Sequence, residues 1–424
     1  MNPAGRRCDK AVSVKQLPLE RPPNHMTTPA GIYISVPFCR AKCTFCNFAS
    51  GVFAAERMQR YVDRVCDEIA GARTTAAKAG AELPERVDTV YFGGGTPSLL
   101  EAAQFRRIFE RLRGEFDLAG DAEITLECAP GQLADETLAE LLRQGMNRVS
   151  FGVQSFVDKE TAAVGRLHTR EQCEAEIARL CGAGVQEMNL DLIAGLPYQT
   201  QESWLYSVEQ AIASGAPHLS VYMLEVDEES RLGKEMLAKG ARYHAAAVPS
   251  EDESADWYQM ACERFDAAGL GQYEISNFSR VGHESRHNLK YWQRQPYMGF
   301  GLDAHSMLLR DAGAVRFANT DEMDAYMGEG NLLIPQSVSE FDAVGREAAF
   351  EESLFLGLRL NRGVRFEALL AEFGEAMVQG VMPSLLEVRE AGLLEMETDW
   401  IRLTARGRMV SNEVFSRLLI TTAA

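Results

Sequence analysis

The segment Pro37-Phe38-Cys39-Arg40-Ala41-Lys42-Cys43-Thr44-Phe45-Cys46-Asn47-Phe48 places three cysteines within eight residues. It follows an apolar run over residues 31–36 that predicts a β-strand, so we expect the loop at the carboxyl end of that strand. Thiolates are the soft ligands that iron–sulfur clusters require, and the C-x3-C-x2-C spacing lets one loop hold three corners of a cubane. Because the motif supplies no fourth ligand, one iron would stay open to another molecule. The segment therefore predicts a 4Fe–4S cluster on Cys39, Cys43 and Cys46.

Two other interpretations of these cysteines remain open from the residues alone. One is a zinc site, although zinc usually takes a fourth Cys or His in a second pair, and none lies at a suitable spacing nearby. The other is three incidental cysteines. The remaining six of the nine cysteines are scattered, which is typical of buried small side chains: Cys8, Cys66, Cys128, Cys173, Cys181 and Cys262. With an odd count and no secretion signal, a disulfide framework is not expected.

The composition argues against two classes of protein, general nucleic-acid-binding proteins and membrane-spanning proteins. The chain has 424 residues, 46% of them hydrophobic and 25% charged, and its formal net charge is −18 with the two signs interspersed. General nucleic-acid binding is not expected, because it needs clustered Lys and Arg. No apolar run approaches the roughly 20 residues that span a bilayer. Residues 1–30 contain Arg6 and Arg7 without the apolar segment of an export signal, so we expect a disordered leader and a cytoplasmic protein.

Strand and helix patterns alternate six times after the leader, which predicts an α/β fold with a parallel sheet. The predicted strands are Gly31–Val36, Val87–Phe92, Ala122–Glu127, Arg148–Gln154, Glu187–Ile193 and Leu219–Leu224. Between them, Ser98–Gly114 has helical spacing with a capping box of Ser98 and Glu101, and another helix is expected from Thr200 to the terminator Gly215. Periodicity alone leaves open whether the sheet is doubly wound or an incomplete barrel.

The pattern changes twice beyond the sixth strand. Residues 236–340 break the alternation, and residues 341–424 read as helices followed by a hairpin, which predicts a small winged-helix-like α+β domain. Helices are expected near Val344–Leu360, Phe366–Phe373 and Pro383–Glu390, and strands at Leu393–Met396 and Trp400–Leu403. This last domain has 13 acidic and only 9 basic side chains, so we expect it to pack or to dock a partner rather than to bind DNA.

A second loop, Gly93-Gly94-Gly95-Thr96-Pro97, follows the second predicted strand and opens a helix. Glycines let a backbone approach a ligand closely, although such a run taken alone is equally typical of a plain turn. Together with the cysteine loop, this order resembles the radical S-adenosylmethionine (SAM) superfamily. The resemblance implies a partial (β/α)6 barrel over residues 31–235 that binds SAM at the open iron. It implies the following SAM-binding residues: Gly93, Gly94, Gly95, Thr96, Glu127, Gln154, Arg166 and Asp191.

Within that superfamily the chain resembles the group of oxygen-independent coproporphyrinogen III oxidase and the HemW-type heme chaperones. The resemblance to this group rests on five segments, residues 151–156, 191–197, 273–278, 287–292 and 402–407. The oxidase has a further cysteine where this chain has Phe48, whereas the H-N-x-x-Y-W element of the chaperones is complete at His287-Asn288-Leu289-Lys290-Tyr291-Trp292. This element falls in the predicted barrel extension, residues 236–340.

The resemblance implies a heme chaperone that binds heme and transfers it to apo-hemoproteins. His287 would offer an imidazole to heme iron, and Tyr291 and Trp292 would offer flat faces to a porphyrin; from the residues alone, a His capping a loop over buried aromatics is the competing interpretation. His305 is a second candidate by position. The alternative function is a radical SAM enzyme acting on a porphyrin, so enzymatic activity stays open. Expected partners are recipient hemoproteins, including peripheral contact with membrane hemoproteins, an electron donor such as flavodoxin or ferredoxin, and a second copy of the chain.

The chain departs from the family pattern at two positions. The lead-in to the cysteines has Ser35 where the family usually has His, and Ala129 stands where Asn is usual after the third strand. Ser35 puts in doubt any role that the family assigns to a side chain beside the cluster. Neither change affects a predicted iron ligand.

Overall fold

A computed structural model describes residues 28–310, 313–328 and 341–419. The predicted leader therefore lies outside the described residues except for its last three positions. At the centre are six parallel strands, each paired with the next in chain order. They are β1 Ala30–Val36, β2 Arg86–Gly94, β3 Asp117–Cys128, β4 Arg148–Gln154, β5 Glu187–Ala194 and β6 His218–Met223.

This strand order decides between the two architectures that periodicity left open. In a doubly wound sheet the order reverses partway, whereas here neighbours in the sheet are neighbours in sequence from β1 to β6. The chain therefore forms the partial (β/α)6 barrel that the resemblance implied. Residues of adjacent strands that face the surrounding helices, such as Ile34, Phe92 and Leu126, are completely buried.

Helices cover the outside of these strands, as the alternation predicted. They are α1 Ala55–Ala70, α2 Ala72–Lys78, α3 Ala102–Glu115, α4 Asp135–Arg143, α5 Asp158–Ala163, α6 Arg170–Gly182 and α7 Gln201–Ala213. The expected apolar stripe of α3 is buried, with Phe105 and Phe109 fully enclosed. The helix predicted from Thr200 is confirmed, because the Thr200 hydroxyl accepts a hydrogen bond from the Ser203 amide at the start of α7.

The predicted start of α3 is wrong by four residues. Pro97–Leu99 forms a separate 3-10 turn and Leu100 is extended, so the helix begins at Ala102. Its capping box is made by Glu101 and Gln104, with the Glu101 amide donating to Gln104 Oε1 at 2.9 Å. Ser98 has the residue type of a cap, but the 3-10 turn buries it before the helix begins.

Six shorter strands extend the sheet beyond both ends of the barrel. They are β7 Gly271–Gln272, β8 Asn277–Ser279, β9 Tyr297–Phe300, β10 His305–Leu309, β11 Ala314–Ala318 and β12 Asp342–Val344. β9 lies parallel to β1 on the side away from β2, and β10 to β12 follow it antiparallel. The helices of this region are α8 Arg231–Leu237, α9 Glu251–Ala267, α10 Arg286–Trp292 and α11 Met323–Tyr326, with a 3-10 turn at Arg242–Ala247. The extension therefore places α10 and the β9–β10 turn beside the first barrel strand.

The C-terminal residues form a small unit with its own antiparallel sheet. Its elements are α12 Arg346–Arg359, β13 Val364–Arg365, α13 Phe366–Phe373, α14 Glu375–Glu390, β14 Leu394–Glu397, β15 Trp400–Leu403, α15 Ala405–Met409 and α16 Ser411–Arg417. The strand order β13-β15-β14 and the preceding helices agree with the winged-helix-like α+β fold. Its apolar core includes Met307 and Ala314 of the sheet extension, so the unit packs on the edge of the barrel. The domain limits at residues 235 and 340 stay predictions.

The predicted helix start at Pro383 is also wrong, because α14 begins at Glu375 and runs through the proline. Proline in a helix interior costs about 3 kcal/mol or more. Here Val378, Val381, Leu385 and Val388 form one continuous buried stripe on both sides of it, and burying such side chains outweighs that cost.

Among the helices of the described ranges, none is long and apolar enough to cross a membrane.

Candidate functional site

The cysteine loop leaves β1 at Val36 and returns to the same place at Gly51. The Cys39 amide donates to the Gly51 carbonyl and the Gly51 amide to the Pro37 carbonyl, both at 2.9 Å. Phe38 is buried between these bonds and anchors the base of the loop in the core. These two hydrogen bonds close the loop, in which Cys39, Cys43 and Cys46 are free and half-buried.

Each of the three sulfur atoms has a polar neighbour at 3.8 Å. The Thr96 hydroxyl donates to Cys39 Sγ, the Arg166 guanidinium donates to Cys43 Sγ, and the Ser50 hydroxyl contacts Cys46 Sγ. Burial raises the pKa of the Cys39 thiol, while the hydrogen bonds from Ser50 and Thr96 oppose that rise. Donors at these positions favour thiolates, the form that binds iron. Among the described residues, no three His, Cys, Asp or Glu side chains are arranged to hold a single metal ion.

The glycine loop lies directly against the cysteine loop. The Gly95 amide donates to the Val36 carbonyl at 2.9 Å and the Thr96 amide to the Phe38 carbonyl at 2.8 Å. A methyl group on Gly95 would lie 2.8 Å from both of those carbonyl oxygens, which is too close for any side chain. Gly94 has a φ of +103°, which L-residues rarely adopt. These two glycines therefore serve the contact between the loops, a role that the sequence analysis had not assigned to them.

Glu127 stands at the end of β3, facing the glycine loop. Its carboxylate accepts hydrogen bonds from the Tyr91 hydroxyl at 2.9 Å and from the Gly94 amide at 3.2 Å. Burial and the nearby Asp191 carboxylate raise the pKa of Glu127 to about 7, against the lowering effect of both hydrogen bonds. A carboxyl whose pKa is raised in this way responds to a ligand that brings positive charge or hydrogen-bond donors.

Gln154, Arg166 and Asp191 lie at the same edge of the sheet. Gln154 has a φ of +68° and its Oε1 is buried without a hydrogen-bond partner among the described atoms. The Arg166 guanidinium donates to the Gly152 carbonyl as well as to Cys43 Sγ. Asp191 accepts from the Asn189 amide at 2.7 Å and from the Ser150 hydroxyl at 3.2 Å, and burial raises its pKa. An unpartnered buried acceptor indicates a site built for a donor that comes from elsewhere.

The first turn of α8 and the residues before it close the outer side of the cysteine loop, a role that no local sequence pattern predicts. The Leu232 amide donates to the Thr44 carbonyl at 2.9 Å, and the Asn47 amide group donates to Asp227 at 3.0 Å. Arg231 also donates to the Lys42 carbonyl. Only the N-cap of α8, where the Ser230 hydroxyl accepts from the Gly233 amide, had a recognisable sequence signal.

The H-N-x-x-Y-W element forms α10, and its histidine points into the protein. His287 is 1% exposed. Its Nδ1 lies 2.8 Å from the Thr89 hydroxyl, its Nε2 lies 2.8 Å from the Tyr291 hydroxyl, and its ring stacks on Tyr91. Burial, with a smaller contribution from Lys290, lowers the pKa of His287 to about 3.

The role of His287 as an imidazole ligand of heme iron stays a prediction. A ring nitrogen can bind iron only with a free lone pair and open access, and in this structure both nitrogens of His287 are engaged and covered. The competing interpretation, a histidine that orders buried aromatic rings, fits the observed contacts. The role of Trp292 stays a prediction as well; in this structure the Arg359 guanidinium of the C-terminal unit lies 4.4 Å over its ring.

A pocket of about 320 Å³ opens between the cysteine loop, the glycine loop and the β9–β10 turn. Its walls combine apolar and aromatic surfaces with a few polar groups, as is typical of small-molecule sites. The lining residues are Tyr33, Ser35, Pro37, Phe48, Ala49, Ser50, Gly94, Gly95, Tyr291, Tyr297, Leu302, Asp303 and His305. Of the H-N-x-x-Y-W residues, Tyr291 reaches this pocket and His287 lies behind it.

His305 lies at the edge of this pocket and is well exposed. Its side chain is 70% accessible, and its Nε2 lies 3.7 Å from the Asp303 carboxylate. Asp303 raises the pKa of His305, against a smaller lowering effect of burial. His305 therefore borders the pocket, and its role as a second candidate stays a prediction.

Comparison with known proteins gives matches over most of the chain. The radical SAM superfamily model matches residues 33–211, and the HemN C-terminal domain model matches residues 344–410. The heme chaperone HemW of Bacillus subtilis strain 168 is 32% identical over 91% of this chain and 98% of that protein. The heme chaperone HemW of Escherichia coli K12 is 30% identical over 92% of this chain and 98% of that protein.

Among solved structures, the coproporphyrinogen III oxidase HemN from Escherichia coli, a radical SAM enzyme, aligns with a TM-score of 0.78. The alignment covers 92% of this chain and 90% of that one, at 23% identity. Likeness at this level of identity shows a shared fold.

Proposed function

This chain belongs to the HemW heme chaperone family of the radical SAM superfamily, and from that premise we propose that it binds heme and transfers it to apo-hemoproteins. One observation carries the proposal: the pocket is bounded on one side by the cysteine loop and on the other by Tyr291 of the H-N-x-x-Y-W element. A ligand in the pocket would touch both of the motifs that distinguish the chain.

Cys39, Cys43 and Cys46 are proposed to hold a 4Fe–4S cluster. The donors from Thr96, Arg166 and Ser50 fit this role because hydrogen bonds to sulfur stabilise the thiolate. When bound, the cluster would supply an open iron for the amino and carboxylate groups of SAM.

The remaining SAM contacts are proposed for residues along the carboxyl edge of the sheet. Glu127 would accept hydrogen bonds from the ribose hydroxyls, and the Gly93–Thr96 backbone would hold the methionine end. Gln154 Oε1, buried without a partner, would accept a hydrogen bond from the cofactor. Arg166 and Asp191 would complete the site.

The porphyrin is proposed to lie on the aromatic wall of the pocket. Phe48 is 60% exposed, an unusual state for a large apolar side chain, and a flat apolar ligand would cover it. Tyr291 and Tyr297 would provide further ring faces. Recipient hemoproteins, a flavodoxin or ferredoxin donor, a homodimer, contact with membrane hemoproteins and a cytoplasmic location belong to the same proposal.

The alternative, an enzyme that decarboxylates coproporphyrinogen III, receives less support. The oxidase has a cysteine two positions after its third ligand, whereas Phe48 fills that place here and lines the pocket with an apolar ring. The likeness to HemN concerns the fold. The family membership at 30% or more identity favours the chaperone.

The test is a heme titration of the anaerobically reconstituted protein followed by mixing with apomyoglobin. We expect a brown protein, a Soret band that saturates at stoichiometric heme, and transfer of that heme to the apoprotein. A Cys43→Ser variant should lose the brown absorbance, while Cys181→Ser, at an exposed cysteine outside the motif, should keep it. Absence of any spectral change with heme would refute the chaperone function, and rescue of a strain lacking the anaerobic oxidase would favour the enzyme.

A further inference from the structure

We propose that His218 is a positioning residue for the cofactor site: through Asn189 it fixes the direction in which the Asp191 carboxylate points. The inference deepens the proposed function and rests on its SAM site, because Asp191 is one of the residues proposed to bind SAM. His218 lies at the start of β6, and it is 1% exposed. An effect of this buried ring on a ligand therefore has to pass through other side chains.

Three neighbouring strands bring these side chains together. Asn189 and Asp191 are two residues apart in β5, so both side chains point to the same face of the sheet. Asn189 is paired with Ser150 of β4 on one side and with His218 of β6 on the other. The network therefore consists of cross-strand neighbours, which the register of the parallel sheet determines.

The contacts of the Asn189 amide group decide its orientation. Its Nδ2 atom lies 2.7 Å from Asp191 Oδ1 and 2.8 Å from the Ser150 hydroxyl. Ser150 in turn donates to Asp191 Oδ2 at 3.2 Å. An ionised carboxylate only accepts hydrogen bonds, so the NH2 group of Asn189, and not its carbonyl oxygen, has to face Asp191. Both N–H bonds are thereby used, and Oδ1 of Asn189 points towards β6.

This orientation determines which nitrogen of His218 carries the proton. Nδ1 lies 2.7 Å from Asn189 Oδ1, an atom that only accepts, so the hydrogen is on Nδ1. Burial is the main cause that lowers the pKa of His218 well below its ordinary value, so the ring is neutral and Nε2 is an acceptor. The Tyr273 hydroxyl lies 2.9 Å from Nε2 and donates to it. The tautomer is therefore fixed from both sides of the ring.

The hydroxyl of Ser220 is a second group near Asn189 Oδ1, at 3.0 Å. It has one hydrogen, for which Asn277 Oδ1 at 2.8 Å and the Asp191 carboxylate compete. The N–H of His218 has no such competing acceptor, because Nδ1 faces Asn189 alone among the described residues. His218 is therefore the donor on which the orientation of the Asn189 amide depends.

The carboxylate that this network holds belongs to the charged residues at the carboxyl edge of the sheet. Burial raises the pKa of Asp191 and Arg166 opposes that rise, while burial and Asp191 together raise the pKa of Glu127. Asp191 keeps some exposed surface, and each of its oxygens can accept a second hydrogen bond, so a ligand can reach it. Without the N–H of His218, the Asn189 amide can rotate and the carboxylate loses its fixed direction.

The experiment uses the full, anaerobically reconstituted chain with SAM as the probe, and it compares two substitutions at one position. His218→Asn places an amide N–H near the position of Nδ1, whereas His218→Gln places it near the position of Nε2. In isothermal titration calorimetry we expect His218→Asn to bind SAM within about twofold of wild type, and His218→Gln to bind it about five- to tenfold more weakly. The control is His283→Gln, at a half-exposed histidine bonded to Glu187, which should bind SAM like wild type.

Thermal unfolding of the same variants separates positioning from a purely structural role. Asparagine leaves a larger cavity than glutamine, so a structural role makes His218→Asn the more damaging variant for both stability and SAM binding. Positioning predicts the opposite order for SAM binding. A loss of affinity that follows the loss of stability would overturn the proposal.

Two further measurements test the path from His218 to Asp191. NMR of the histidine ring nitrogens, without SAM, should show His218 as the neutral tautomer protonated at Nδ1; protonation at Nε2 would overturn the hydrogen-bond assignment. In an Asp191→Asn background, His218→Gln should cause no further loss of SAM affinity, because its effect passes through the carboxylate. Additive losses would overturn action through Asp191.

The two levels of the proposal fail differently. If wild-type protein binds no SAM, the cofactor site fails and the positioning role fails with it, even if the tautomer is the expected one. If wild type binds SAM and His218→Gln binds it equally well, the cofactor site stands and the positioning role of His218 is overturned.

Discussion

The Nε2 atom of His287 lies 2.8 Å from the hydroxyl oxygen of Tyr291, one helical turn further along α10. The same imidazole is bonded through Nδ1 to Thr89 of β2. The H-N-x-x-Y-W histidine therefore ties the helix to the barrel and fixes the ring that lines the pocket. Its chemistry is that of a buried neutral imidazole, which has a consequence for acid stability.

We expect His287→Gln to flatten the acid dependence of stability. The pKa of His287 is about 3 in the folded protein and about 6.5 when unfolded. Between these values the unfolded chain binds the proton, so this group's contribution to stability is full above pH 6.5 and declines as the pH falls towards 3. As the pH is lowered, the free energy of unfolding of the wild type should therefore decrease more steeply than that of the variant. The difference in slope should be up to about 1.4 kcal/mol per pH unit. Urea unfolding at several pH values from 7 down to 4 measures this difference.

The control for that prediction is His244→Gln, at an exposed histidine. Its pH dependence should follow wild type. Parallel curves for wild type and His287→Gln would contradict the buried, neutral state of the imidazole.

Gly95→Ala should separate the two loops of the site. The added methyl group would lie 2.8 Å from the carbonyl oxygens of Val36 and Phe38, which belong to backbone that cannot rotate away. We expect a loss of roughly 1–3 kcal/mol in stability together with weaker SAM binding, measured by thermal unfolding and equilibrium dialysis.

Gly114→Ala is the matched control for Gly95→Ala. Gly114 lies within α3, and no atom lies within 4 Å of an added methyl group. That variant should gain about 0.5–1 kcal/mol from helix propensity. Equal behaviour of the two alanine variants would show that the contact between the loops does not depend on Gly95.

The six barrel strands could be predicted from the sequence because each is an apolar run bounded by turn residues, and the helix between two runs forces them to be parallel. The short strands β9 to β12 could not, because three to five residues carry no clear period and the pairing of β9 with β1 joins distant parts of the chain. The same limit explains why the sequence did not indicate the burial of His287. A helix of seven residues has too few turns to show which face is buried, and that is decided by Thr89 and Tyr91 of β2.

The residues of the candidate site also fall into two groups, those that the sequence could predict and those that it could not. The cysteines and Glu127 could be found because they follow strand ends in a recognisable order. Thr96 and Arg166, which donate to the thiols, and Leu232, which closes the cysteine loop, lie far from the cysteines in sequence, and no local pattern marks these contacts.

SAM binding should weaken as the pH falls below about 7. The pKa of Glu127 is raised to about 7, so the carboxyl becomes protonated below that value and accepts hydrogen bonds less well. A sulfonium ligand with ribose hydroxyls favours the ionised form, so affinity should fall by up to about tenfold per pH unit below 7. Glu127→Gln should remove this dependence and bind SAM roughly tenfold more weakly at pH 8. Isothermal titration calorimetry between pH 6 and 8 provides the measurement, and an unchanged slope in the variant would rule out Glu127 as the titrating group.

Arg359→Ala should loosen the contact between α10 and the C-terminal unit. The Arg359 guanidinium lies 4.4 Å over the Trp292 ring and 4.0 Å from the Glu274 carboxylate, which is completely buried. Its removal uncovers the indole and leaves Glu274 without its cation, so we expect a loss of roughly 2–4 kcal/mol in urea unfolding. Arg346→Ala, an exposed arginine 5.9 Å from the Phe373 ring, should cost less than about 1 kcal/mol. Because Trp292 is covered by Arg359 rather than open to a porphyrin, the Arg359→Ala loss should be the same with and without heme; a loss that heme binding abolishes would show that Trp292 contacts the ligand.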